Sequence, residues 1–373
     1  MPRAARPSGG DITTPARVAS PSLCTWLTPR SYPLSATLSF LRRASPFSFA
    51  MSTSNAVSVP RRDFLRVAAL APLATAPLPA LEPIHRTGGA FLRPALNIYS
   101  FLEQLNENKK DPAKGISLFG VCDYCARLNL EAMDMTGYFF PEYPKVPTDA
   151  FVSRIKRYAH ARGVVINGTG IRNDFSVADK AVRAAGVQLT KDWIEAAARL
   201  GATVIRVFAG PQSPFKDWRG AAAGAKRDEV EKWMADDLRA CAEHGEKFGV
   251  LVGVQNHGDF INTGAEHLSL LRRVDHPCCG ALVDTGKFLT ADPYADIALI
   301  TPYAVGWQIK ETLGSDLKSP RADFRRLMKI IAAGGYRGFV PIETLAMGRK
   351  DYDPATEVEM VLKGMRAGIA AAR

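Results

Sequence analysis

The sequence predicts an α/β fold of the (β/α)8 barrel type, in which eight parallel strands alternate with eight helices. Two observations favour it. Short apolar runs alternate with helix-period stretches from about residue 90 onwards, and several of the apolar runs end in a polar residue. The strand-like runs are 95–100, 130–135, 163–170, 203–209, 250–256, 280–285, 304–310 and 338–344.

The stretches between these runs carry apolar residues at three- and four-residue steps, as amphipathic helices do. They are 115–128, 148–162, 186–200, 227–248, 263–274, 293–302, 321–333 and 354–371. The longer connections 136–147 and 210–226 contain Pro, Gly and aromatic residues and are expected to be loops over the barrel mouth. An open doubly wound sheet is the alternative, but no GxGxxG motif follows the first strand.

The first 80 residues differ from the rest of the chain. They hold nine arginines and only two acidic residues, so they carry seven of the eleven net positive charges. The remaining chain is mildly basic, which argues against a nucleic-acid partner. Residues 1–50 are rich in Arg, Ser and Pro and lack a sustained period, so we expect a disordered extension or a gene start assigned too far upstream.

Residues 51–80 have the features of an export signal. Arg61 and Arg62 precede the apolar stretch VAALAPLATAPLPAL, a pattern typical of a twin-arginine signal peptide. The stretch is too short and too rich in proline to span a membrane, so stable membrane insertion is not expected. The prediction is a periplasmic or extracytoplasmic protein, the twin-arginine export machinery as a partner, and a barrel over 90–373. An arbitrary basic and apolar tail is the alternative.

Four polar residues end four successive strand-like runs: Gln255, Asp284, Gln308 and Glu343. The C-terminal ends of parallel barrel strands meet at one mouth, so these side chains are expected to converge. Two carboxylates and two amides make an oxygen-rich set that suits one divalent ion, Mn²⁺ or Mg²⁺. Four unrelated polar caps at strand ends are the alternative.

Further candidates surround these four positions. His257, two residues after Gln255, could transfer a proton, contact substrate or act as a fifth metal ligand. Lys287 and Lys310 are expected to hold an anionic or enolate-like oxygen, because a cation without such a partner would repel a metal ion. The catalytic candidates are Glu343, His257 and Lys310, and the substrate-binding candidates are Arg206, Lys287 and Trp218.

The segments GVLVGVQNHGDF, GALVDTGKF, WQIKE and YRGFVPIETL resemble the xylose isomerase-like TIM-barrel superfamily of sugar phosphate isomerases and epimerases. In that family a Glu, an Asp, a His and a Glu from the last four strands bind one divalent metal. By this resemblance, Asp284 and Glu343 match the family set. Gln255 stands in place of the first Glu, Gln308 replaces the His, and Lys287 replaces a histidine often found three residues after the Asp.

The resemblance implies a metal-dependent isomerase or epimerase that acts on a carbohydrate or keto-sugar through an enediolate. The family's epimerases exchange a proton between two glutamates, but the amide of Gln255 cannot accept one. Glu343 is left as a base, with His257 or Lys310 as its partner. A lyase or glycoside-cleaving enzyme acting on 3-keto-sugars is one alternative, and a non-catalytic carbohydrate-binding barrel is another. An oligomer is compatible with each of these functions.

Overall fold

The computed structural model describes residues 81–211, 214–314 and 319–373. Its eight strands are β1 Phe91–Asn97, β2 Ala132–Asp134, β3 Val165–Gly170, β4 Val204–Phe208, β5 Leu251–Gln255, β6 Cys279–Asp284, β7 Ala304–Gln308 and β8 Arg337–Ile342. They pair in parallel in the order β7-β6-β5-β4-β3-β2-β1-β8. The predicted (β/α)8 barrel is confirmed. The predicted extension at 1–50 and export signal at 51–80 lie outside the described residues.

The seam between β7 and β8 closes just beyond the ends of the two strands. The Ile309 amide donates to the Pro341 carbonyl at 2.8 Å, and the Glu343 amide donates to the Ile309 carbonyl at 2.9 Å. These bonds hold the residues that follow β7 against those that follow β8. The side chains of Gln308, Lys310 and Glu343 are therefore brought to one place at the mouth.

Ten α-helices are found in the described part of the chain. They are Leu102–Lys110, Leu118–Arg127, Asp149–His160, Lys180–Leu200, Trp218–Ala221, Arg227–Phe248, Gly264–Val274, Pro293–Ile300, Phe324–Ala333 and Pro354–Ala372. All eight predicted helices are present, and two further ones lie in the connections. Between residues 81 and 373, leaving aside 212–213 and 315–318, no helix has the length and apolar character that a membrane crossing requires.

Side-chain caps explain where the structure departs from the predicted boundaries. The helix predicted to begin at 186 begins at Lys180, because the Asp179 carboxylate accepts hydrogen bonds from the amides of Ala181 and Val182. The strand predicted at 95–100 is instead Phe91–Asn97. The Asn97 side chain accepts from the Tyr99 amide at 2.9 Å and starts a 3₁₀ turn in an apolar stretch that resembles a strand.

Candidate active site at the barrel mouth

A cleft of about 430 Å³ opens at the C-terminal ends of the strands. Most of the side chains predicted to act together line it: Arg206, Gln255, His257, Lys287, Gln308, Lys310 and Glu343. Asp284 lies behind this wall and is fully buried. The sequence therefore anticipated the mouth as the place where polar residues gather.

One amide group links three of the four predicted metal ligands. The Nε2 of Gln255 donates to Asp284 Oδ2 at 2.8 Å and to Gln308 Oε1 at 2.6 Å. The Gln255 Oε1 is buried and has no hydrogen-bond partner. The opposite amide orientation would bring three oxygen atoms together and would require a cation among them.

Lys310 supplies a cation at this point. Its ammonium group donates to Glu343 Oε1 and lies 3.6 Å from Asp284 Oδ2, and only 5% of its side chain is exposed. Burial lowers the pKa of Lys310, but the charges of Asp284 and Glu343 together outweigh burial, so the pKa is raised overall. The ammonium is therefore charged at neutral pH.

The loop after β6 positions Lys310. The Lys310 amide donates to the Thr285 hydroxyl at 2.9 Å, which ties the residues after β7 to the residues after β6. Gly286 leaves room for the lysine stem, because a Cβ at that position would lie 2.8 Å from Lys310 Cγ. A larger residue at 286 would displace the lysine.

Asp284 is held from two sides. The Asn256 side chain donates to the Asp284 carbonyl at 2.9 Å and accepts from the Asp284 amide at 2.8 Å, while the Gly286 amide donates to Asp284 Oδ1 at 3.0 Å. Burial raises the pKa of Asp284, and the charge of Lys310 acts against this rise. Asn256 was not among the predicted site residues, although an amide directly after a strand end was a visible signal.

These residues do not fit a divalent ion as they are arranged. A divalent ion needs ligand oxygens that face it at about 2.0–2.6 Å. Here an amino group faces the oxygens of Asp284 and Gln308, and an ammonium group contacts the two carboxylates. Over the described ranges no group of three or more His, Cys, Asp or Glu side chains is arranged to hold a metal. The two carboxylates of the predicted ligand set lie near the ammonium of Lys310, and the two amides join the set through the Gln255 amino group.

A third carboxyl group, which the sequence analysis missed, lies close by. Asp134 is the last residue of β2 and is 4% exposed. Burial raises the pKa of Asp134 to about 7; the charge of Arg206 opposes this rise and that of Glu343 adds to it. An acidic residue at the end of a strand could have marked Asp134 in the sequence. The strand β2 has only three residues, however, so its end is hard to recognise from the sequence.

Arg206 and Tyr138 form one wall of the cleft. The Arg206 guanidinium lies 4.0 Å from the Phe208 ring centre, donates to the Tyr138 hydroxyl and leaves its Nε without a partner. Burial raises the pKa of Tyr138 to about 12, although Arg206 acts against the rise. Tyr138 is therefore a neutral hydroxyl facing the cleft. It lies in the predicted mouth loop at 136–147, where nothing in the sequence marked it out.

His257 lies at the open side of the cleft, with its ring 4.7 Å from the Phe208 ring. Desolvation in the cleft and the charges of Lys287, Arg206 and Lys310 lower the pKa of His257 to about 3. The side chain is exposed at the mouth, so desolvation contributes less than it would for a sealed ring. Because the pKa of His257 is lowered from its ordinary value of 6.5, the imidazole is neutral at neutral pH.

The structure places Trp218 away from the cleft. It begins a short helix whose first turn is capped by Asp217, and its ring packs edge-on against Phe260 at 5.3 Å. The side chain is buried and does not line the mouth. Trp218 therefore belongs to the packing of this loop, and the predicted sugar-stacking contact is not available to it.

The family can now be assigned. A family model described as a xylose isomerase-like TIM barrel matches residues 122–367. The chain belongs to the xylose isomerase-like TIM barrel family. None of the curated proteins compared with this xylose isomerase-like chain matches it significantly.

Solved structures share the fold of this xylose isomerase-like barrel at low sequence identity. A xylose isomerase domain protein from Alicyclobacillus acidocaldarius subsp. acidocaldarius is 18% identical with a TM-score of 0.58, covering 76% of this chain and 99% of its own. A D-psicose 3-epimerase from Clostridium cellulolyticum H10 is 15% identical with a TM-score of 0.59, covering 74% and 99%. A 3-keto-D-glucoside 4-epimerase from E. coli is 16% identical with a TM-score of 0.56, covering 67% and 94%.

Proposed function

We propose that this xylose isomerase-like barrel is an enzyme that isomerises or epimerises a carbohydrate or keto-sugar by moving a proton. The observation that carries the proposal is a carboxylate, Glu343, paired with the ammonium of Lys310 at the wall of a sugar-sized cleft. Two solved structures of the same fold are epimerases of D-psicose and of a 3-keto-D-glucoside, which supports a carbohydrate substrate.

The chemistry follows from the charges around the cleft. Glu343 accepts a proton from a carbon next to a carbonyl group, and the electron pair moves onto the carbonyl oxygen to form an enediolate. Lys310, Lys287 and Arg206 stabilise the negative charge that develops on that oxygen. Return of the proton by Glu343 to the former carbonyl carbon, with the hydroxyl proton moved to the other oxygen, gives an isomer. An epimer forms when a second group protonates the original carbon from its opposite face and Glu343 releases its proton to water.

The second proton transfer falls to a neutral group. His257 is uncharged at neutral pH and can accept a hydroxyl proton or pass one on. Gln255 cannot, because a neutral carboxamide has no titrating group and is too weak an acid or base to transfer a proton near neutral pH. The proposed acid–base set is therefore unsymmetrical, with one carboxylate and one imidazole.

One observation favours a lyase acting on a 3-keto-sugar as the second candidate. Of Asp284 and Glu343, only Glu343 lines the cleft. Elimination needs one base to form the enolate and one acid to protonate the β-leaving group, whereas epimerisation needs a proton donor on each face of the carbon. Product analysis separates the two, because a lyase releases a sugar or aglycone and an isomerase does not.

The first test follows deuterium from D₂O into a panel of keto-sugars incubated with the full chain. We expect label at a carbon next to the carbonyl, and Glu343→Gln should lower kcat/KM by about 10²–10⁴-fold because the base is lost. The matched control is Glu107→Gln, the same change on an exposed helix position. Binding of sugar without exchange or turnover would instead support the non-catalytic alternative.

A further inference from the structure

The two carboxylates that remain from the family's ligand set share one cation. Lys310 contacts Glu343 and lies 3.6 Å from Asp284, and all three side chains are nearly sealed from solvent. Removing charges from water is costly unless they are paired, so this arrangement needs its cation. In a metal-dependent barrel the same two carboxylates would face the ion.

Positive charge already occupies this part of the site. The ammonium of Lys310 pairs with Glu343 and lies 3.6 Å from Asp284. The charge of Lys287 also acts on Asp284, from a half-buried side chain. A divalent ion placed among these groups would be repelled by both ammonium groups as well as attracted by the carboxylates.

Each departure from the family's ligand set makes this a poorer site for a metal ion. Gln255 and Gln308 replace a carboxylate and an imidazole with amides, and the Gln255 amide presents its amino group to the remaining oxygens. Lys287 places a positive charge where the resemblance expects a histidine. Each change weakens a metal site, and together with Lys310 they leave a hydrogen-bonded polar cluster.

We propose that the ammonium of Lys310 replaces the divalent cation in this chain, so that the cleft operates without a metal ion. The ammonium donates one hydrogen bond to Glu343 and lies 3.6 Å from Asp284, and Lys310 also lines the cleft, so a further N–H is available to a substrate oxygen. This catalytic consequence rests on the proposed function. The metal-free state does not, because it can be measured without a substrate.

The test measures metal binding by the full chain. Wild-type protein is dialysed against Mn²⁺, desalted and analysed for metal, and its Tm is recorded with Mn²⁺ and with EDTA. We expect metal well below one equivalent and the same Tm in both. Lys310→Met removes the cation but keeps a stem of similar length, so its Mn²⁺ affinity should rise by at least about tenfold. Lys329→Met, the same change on an exposed helix far from the mouth, should bind as the wild type does.

Two outcomes would overturn the proposal. One is wild-type protein that holds close to one equivalent of Mn²⁺, or whose Tm Mn²⁺ raises. The other is a folded Lys310→Met variant with no gain in Mn²⁺ affinity. If that variant does not fold, the wild-type measurement decides alone. A metal-free protein that shows no turnover of keto-sugars would contradict the proposed function and leave this inference intact.

Discussion

At the scale of single residues, the mouth depends on which atoms the polar side chains present to each other. Gln255 presents an amino group to two acceptors, and Lys310 presents an ammonium group to two carboxylates. These contacts satisfy groups that would otherwise repel one another inside the protein. Lys310 also lines the cleft, where an enediolate needs positive charge.

Asp134 gives the first residue-scale prediction, because its raised pKa makes stability depend on pH. Burial raises the pKa from 3.8 to about 7, so the folded protein holds a proton that the unfolded chain releases. The free energy of unfolding therefore falls as the pH rises between these two values. From pH 5 to pH 8 the free energy of unfolding of the wild type should fall by about 2 kcal/mol relative to Asp134→Asn.

Urea unfolding of both proteins at the two pH values measures this difference. The Asn variant serves as the control, because it keeps every other titrating group of the wild type. Parallel pH profiles for the two proteins would mean that Asp134 is ionised in the folded state, and the proposed burial of a neutral acid would then be wrong.

The convergence of Gln255, Asp284 and Gln308 could be predicted because each ends a strand, and strand ends of a barrel meet at one rim. What lies between them could not be predicted in the same way. The reach of Lys310 depends on its rotamer and on the space left by Gly286, and no local pattern encodes either. Tyr138 was missed for a similar reason, since it comes from a loop.

At the scale of elements, all eight predicted strands and all eight predicted helices are present in the predicted order, because their periodicity is strong over whole segments. The two helices that were not predicted, Leu102–Lys110 and Trp218–Ala221, lie in the connections. Their ends were less well predicted, since single side chains decide them. Asp179 begins a helix six residues before the predicted start, and Asn97 ends β1 by starting a 3₁₀ turn. The site is less affected, because β5 to β8 end at or next to the predicted polar residues.

Gly286 gives a prediction at this scale, because it sets the spacing between the loop after β6 and the residues after β7. In Gly286→Ala the new Cβ would lie 2.8 Å from Lys310 Cγ and 3.2 Å from the Thr312 carbonyl, so the lysine must move. We expect a loss of about 1–3 kcal/mol in the free energy of unfolding, typical of overpacking, together with lower turnover.

Chemical denaturation and the deuterium-exchange assay measure the two effects. Gly220→Ala is the matched control, because the nearest atom to its Cβ is an Asp217 oxygen at an ordinary 3.6 Å. Unchanged stability and exchange in Gly286→Ala would show that Lys310 does not need this glycine.

At the scale of the whole molecule, the barrel and the first 80 residues differ in composition and charge. The barrel places its polar residues at one mouth, and closing the seam between β7 and β8 brings Lys310 to Glu343. The first 80 residues hold most of the net charge, which the fold of the barrel does not require. We propose that their task is export by the twin-arginine route, which carries folded proteins.

The export proposal predicts a change of compartment rather than of fold. Replacing Arg61 and Arg62 with lysine keeps the positive charge but removes the guanidinium pair that defines the signal, so the protein should stay in the cytoplasm of a twin-arginine-competent bacterium. A second arginine pair, Arg42 and Arg43, lacks a comparable apolar stretch behind it and provides the control. Lysines at 42 and 43 should leave periplasmic recovery unchanged. Equal recovery of both variants from the periplasm would show that the pair at 61 and 62 does not direct export.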